Sequence, residues 1–103
     1  MTPRQLITKA ALLLDHRNDS VGAEQALRQA VELSVQGSDQ SASIEATAFL
    51  AELLAHQSRD TEALSLFETI IAIAANNTEI ERDLIEPHLR TAQEYVANAR
   101  GRA

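Results

Sequence analysis

Shifted by forty positions, the first half of the chain lies on the second: Ala11 falls on Ala51, Leu14 on Leu54, Ala23 on Ala63, Leu27 on Phe67, Ala30 on Ile70 and Leu33 on Ile73. A duplication of that length confines the fold to two similar units packed side by side, because one such unit cannot bury its own apolar face. The better-formed copy is Ile44 to Asn77. In it, Ile44, Thr47, Leu50, Ala51 and Leu54, and then Ala63, Leu64, Phe67, Ile70, Ile71 and Ala74, recur every three or four residues, the period of a helix face and not of a strand. The polar run from His56 to Thr61 is long enough only for a turn. Glu62 then puts negative charge in the first turn of the next helix, where the dipole favours it. Each copy is thus a pair of antiparallel helices. Ala51 and Ala63 let the two backbones approach, while Leu54 and Phe67 fill the space beside them.

Composition agrees with an all-α chain. Of 103 residues 45% are apolar, with three Gly, two Pro, two Phe and one Tyr, so the core is built from Leu, Ile, Val and Ala. One domain is expected at this length. The lack of cysteine excludes a disulfide scaffold and cysteine-ligated zinc. A formal charge of -6 disfavours nucleic acid and anionic membrane surfaces as partners. The apolar run Ala10 to Leu14 is flanked by charge and lacks a cleavage pattern, and nothing approaches the ~20 apolar residues of a membrane span, so a cytoplasmic protein is expected.

In chain order, Thr2 and Gln5 form a capping box around Pro3, so the first helix opens there and carries Leu6, Ala10, Leu13 and Leu14 to about His16. A second runs from about Val21 to Gln36, with Gly37 as its C-terminal cap. Residues 37–43 are extra residues between the two units, a loop or an added turn on the third helix, and the added turn capped by Ser38 is preferred because Gln40, Ala42 and Ile44 lack turn chemistry. Thr78 and Glu81 form another capping box, starting a fifth helix near Glu79 with Ile85, Leu89, Ala92, Val96 and Ala99 on one face. Pro87 predicts a kink between Asp83 and Pro87 or two shorter helices.

The second copy resembles the tetratricopeptide repeat, a helix-turn-helix unit of about 34 residues. With Ile44 as first position, Leu50, Ala51, Ala63 and Phe67 fall on the family's leucine, small, alanine and aromatic sites. Thr47, Leu54, Ile70 and Ala75 depart from its tryptophan, tyrosine, small and proline sites. The segment from Ala23 to Ser34 is similar to the unit's second helix. The resemblance implies antiparallel hairpins stacked as a short right-handed α-solenoid of about five helices, with repeat one over residues 4–37, repeat two over 44–77 and a capping helix over 79–100. If the cap covers the fourth helix incompletely, the remaining apolar strip would support a homodimer through the C-terminal helix.

The chemistry-bearing residues form no catalytic or metal pattern. His16 and His56 occupy one repeat position, but stacked helices hold equivalent residues ~8–10 Å apart, too far for one tetrahedral ion unless both side chains reach inward. Glu79, Glu81, Asp83 and Glu86 read as a solvated helix face, since Arg82 lies among them. No phosphate loop, nucleophile elbow or paired Cys and His is present. The chain is expected to be no enzyme and to need no cofactor or metal.

What the resemblance implies instead is a concave groove that binds a protein segment. The groove would present Gln5, Thr8, Lys9, Leu12, Asp15 and His16 from the first repeat and Glu45, Ala48, Phe49, Glu52, Ala55 and His56 from the second. Leu12 and Phe49 would be apolar anchors or, alternatively, core residues. Family members that grip acidic chaperone tails use basic residues and asparagines where this chain has Thr8, Leu12 and Phe49, so no such carboxylate clamp is expected. Three functions follow: an adaptor for a protein or peptide partner; a dedicated small chaperone masking an aggregation-prone subunit, similar to the partners of type III secretion needle subunits; or a helix-turn-helix DNA binder, which the charge disfavours.

Overall fold

Two seventeen-residue helices, α2 (Ser20–Gln36) and α4 (Asp60–Asn76), begin forty positions apart, so the offset seen in the sequence recurs in the helix boundaries. They belong to a computed structural model that describes residues 1–77 and 80–101. The chain is all-α among these residues, with α1 (Pro3–Arg17), α3 (Gln40–His56) and α5 (Arg82–Gly101) completing five helices. Each helix packs on the next, and α3 also touches both α1 and α5. The backbones of α2 and α4 do not meet. The least extent of the molecule, 20 Å, is that of two layers of helices.

Local chemistry sets the ends. Thr2 Oγ1 accepts from the Gln5 N–H at 3.2 Å and Gln5 Oε1 accepts from the Thr2 N–H at 2.8 Å, closing the expected capping box with Pro3 in the first turn. The turns after α2 and α3 are copies of each other. In the first, the N–H groups of residues 37, 38 and 39 donate to the carbonyls of Leu33, Val35 and Ser34; in the second, those of residues 57, 58 and 59 donate to Leu53, Ala55 and Leu54. Both pass through a serine with left-handed backbone, Ser38 at φ 57° and Ser58 at φ 61°. Gly37 ends α2 as expected, with an ordinary φ of -84°. Ser38 is not the cap of α3. Asp39 is, because its carboxylate is one residue nearer and accepts from the Ala42 N–H at 3.1 Å. The residues between the copies do extend α3: Pro3 shifted by forty is position 43, whereas α3 opens at Gln40.

α3 is the centre of the fold, with ten of its seventeen residues buried. Ala23, Ala51 and Ala63 are completely buried at the helix joints, and Leu27, Leu54, Phe67 and Ile70 fill the spaces around them. Ala11 departs from this pattern and is exposed; the buried alanine of α1 is Ala10. The reason is position in the stack. α1 has neighbours on one side only, whereas the counterpart Ala51 lies in the helix that has α1 on one side and α5 on the other.

α5 runs unbroken through Pro87 and is not split into two helices. Pro87 lies in its second turn, so one carbonyl, that of Asp83, goes without its helical N–H. The capping box at Thr78 and a helix start near Glu79 fall on residues outside those described; the described helix opens at Arg82. Ile85, Leu89, Ala92 and Val96 are buried as their spacing predicts. Phe67 packs on Tyr95 with ring centroids 4.6 Å apart, and the Tyr95 hydroxyl donates to Asp60 at 3.1 Å, holding α5 on α4. The outer face of α5 carries Arg82, Asp83, Glu86, Arg90 and Glu94, with Leu84 the large apolar side chain exposed there.

A ring of charges bridges α2 and α4 where their backbones stay apart. Arg59 reaches Glu24 at 2.6 Å and Glu62 at 2.9 Å, while Arg28 reaches the same two carboxylates at 2.9 and 3.4 Å. Hydrogen bonding to Arg59 holds the Glu24 carboxyl below its ordinary range against the opposing effect of burial, with help from Arg28.

Candidate binding cleft between α1 and α3

Being packed on most sides, α3 leaves one strip open: Glu45, Phe49, Glu52 and His56, spaced four, three and four residues apart along one helix face. Beside it α1 turns a parallel row, Ile7, Ala11 and Leu14, toward the same space. Between the rows lies a cleft of about 400 Å³. Ala10, Leu27 and Leu53 make its floor, and Asp15, Glu52 and His56 stand at its polar edge. Arg4 pairs with Glu45 at 2.9 Å across the N-terminal ends of α1 and α3. Phe49 is 39% exposed and meets His88 of α5 edge-on, with centroids 5.6 Å apart.

The duplication accounts for the opening. Leu27 stands where the second hairpin has Phe67, and Ala10 where it has Leu50, so the first hairpin has less side-chain volume at both places. Its exposed Ala11 and half-buried Ile7 and Leu14 have fully buried counterparts in Ala51, Thr47 and Leu54. The second hairpin is filled and covered where the first is open.

Of the residues expected on a groove, the structure brings Asp15, Phe49, Glu52 and His56 together on the cleft. Glu45 continues the open strip but is engaged by Arg4. Ala48 is 1% exposed and belongs to the interior, because α3 is covered there by its neighbours; Ala55 is half-buried. Gln5, Thr8, Lys9, Leu12 and His16 are exposed without lining the cleft. Consecutive helix residues point about 100° apart, so Thr8 and Leu12, one residue on from Ile7 and Ala11, point away from the cleft, whereas Asp15, next to Leu14, still reaches its edge. Leu12, 52% exposed, is not a core residue. The family pattern does not point to Ile7, Ala10, Ala11, Leu14, Leu27 and Leu53, which also line the cleft. The signal for them was the pairing of Leu27 with Phe67 in the repeat, which marks lost volume.

His16 and His56 are both exposed, and among the described residues no group of three or more His, Cys, Asp and Glu is placed to hold a metal. Of the acidic residues on and before α5, Glu86 faces Arg90 at 3.9 Å and Glu79 lies outside the described residues. No described helix is long and apolar enough to cross a membrane. Comparison with protein-family models, curated proteins and solved structures returned no match.

Proposed function

We propose that this chain is a non-catalytic protein-binding module, a divergent pair of tetratricopeptide-like hairpins stacked as a short solenoid, which takes a segment of a partner protein into the cleft between α1 and α3. The observation that carries this reading is the cleft itself. An opening of about 400 Å³ between Phe49 on one side and Ile7, Ala11 and Leu14 on the other keeps their apolar surface in contact with water, a cost the second hairpin avoids by filling the same place. The solenoid reading draws on the equal spacing of α2 and α4 and on the contacts of α3 with both α1 and α5.

A narrower form of the same function is a dedicated chaperone that masks an aggregation-prone helix of one subunit. The apolar floor favours it, since such a surface suits the buried face of a helix. A photo-crosslinking residue placed at Phe49 in the source cell tests the module, with one at the exposed Val21 on α2 as control. A protein adduct at position 49 and none at 21 is expected. One stoichiometric partner identifies the chaperone and several identify an adaptor; adducts at 21 alone would refute the cleft as the binding surface.

A further inference from the structure

We propose that the occupant of the cleft is an amphipathic helix that inserts large apolar side chains between α1 and α3 and carries lysine or arginine beside them. The inference rests on the protein-binding reading and specifies the partner's chemistry. The shape argues for a helix. Ile7, Ala11 and Leu14 on α1 and Phe49, Leu53 and His56 on α3 are rows of four-and-three spacing along two parallel helices, and the furrow between such rows receives the side-chain ridge of a third.

Charge argues for cations. Glu24, Glu45, Glu62 and Glu68 each pair with an arginine of this chain, but Asp15 and Glu52, at the cleft, pair with none among the described residues. The cleft also lies toward the C-terminal ends of α1 and α3, so the negative ends of two helix dipoles add to the two carboxylates. Arg17 at the end of α1 does not line the cleft. A net charge of -6 extends the same preference over the whole surface. An uncharged apolar molecule would fill the floor and leave both carboxylates unanswered.

Selection of phage-displayed helical peptides on the wild-type chain, with subtraction on Leu27→Phe and separately on Ala11→Leu, tests the assignment. Leu27→Phe restores the side chain of the second hairpin and fills the floor. Ala11 is exposed, so Ala11→Leu blocks the wall without loading the core and keeps the test valid if the first variant folds poorly. The expected survivors carry two large apolar residues three or four positions apart, flanked by lysine or arginine. Measured by fluorescence anisotropy as synthetic peptides, they should bind more weakly as salt is raised. Asp15→Asn and Glu52→Gln should each weaken binding roughly two- to fivefold. Leu27→Phe should weaken it more than about tenfold.

Survivors that are acidic or uncharged, and indifferent to Asp15→Asn and Glu52→Gln, would overturn the cationic assignment while leaving the cleft as a binding site. Peptides that bind the wild type and both blocking variants alike, or a selection that retains none, would overturn the cleft and the protein-binding function together. A homodimer in sedimentation velocity that Leu27→Phe abolishes would assign the cleft to a second copy and overturn the proposal.

Discussion

Truncating each phenylalanine to alanine in turn separates the residue that holds the fold from the one that faces outward. Phe67 is 1% exposed, and its ring packs 4.6 Å from that of Tyr95. Removing it deletes the largest buried side chain and opens a cavity between α4 and α5, a change that costs about 3–5 kcal/mol in well-packed cores. Phe49 is 39% exposed and its ring partner is His88, so its truncation opens no enclosed cavity and forfeits about 1–2 kcal/mol of partial burial and ring contact. For a domain whose total stability is ~5–15 kcal/mol, the first is a large fraction and the second is not. In urea, with a slope of ~1–3 kcal/mol per molar, Phe67→Ala should lower the unfolding midpoint by roughly 1–5 M. Phe49→Ala should lower it by less than half as much, with the slope unchanged. If the two midpoints fall by the same amount, Phe49 is a core residue, and its place on an open strip is refuted.

Three further measurements follow from the local chemistry. Ser38→Gly and Ser58→Gly, separately, should each raise stability by up to about 1 kcal/mol in the same urea assay, since each removes a left-handed serine from a turn that glycine adopts without strain. Asp39→Ala should cost about 1 kcal/mol through loss of the α3 cap, and a thermal melt unchanged by it would show that the cap carries no energy. Glu24 has a folded pKa below its ordinary value near 4.5, so its contribution is present above that value and is lost as pH falls through the depressed one. Acid titration of stability should therefore show a falling limb below about pH 5, and Glu24→Gln should be less stable at neutral pH with a flatter limb. A limb equally steep in the variant would place the acid sensitivity elsewhere.

The helices were legible in the sequence because their signals are local. Thr2, Pro3 and Gln5 announce the start of α1, and the spacing of Ala63, Phe67, Ile70 and Ala74 announces the buried face of α4. Choosing Ser38 over Asp39 as a cap failed because both are capping residues and only the turn's hydrogen bonds decide between them. Ala11 and Ala48 show a second limit. Equivalent positions in a repeat share a helix face but not a neighbour, so Ala11 is open where Ala51 is closed, and Ala48 is covered inside the central helix. The cleft was the least legible feature, since it arises from volume missing at Ala10 and Leu27 on two helices while a third supplies Leu53. The alignment of the two halves held that information in the pairs Leu27 with Phe67 and Ala10 with Leu50, and a groove transferred from a family pattern passes over it.

α1 contributes only Leu6 and Ala10 as fully buried side chains, yet it forms one whole wall of the cleft. A helix that buries two side chains is held less firmly than the central α3, which buries ten. An occupant of the proposed site that settled against Ile7 and Leu14 would bind only the molecule with α1 in place, so occupancy would brace that helix against α3.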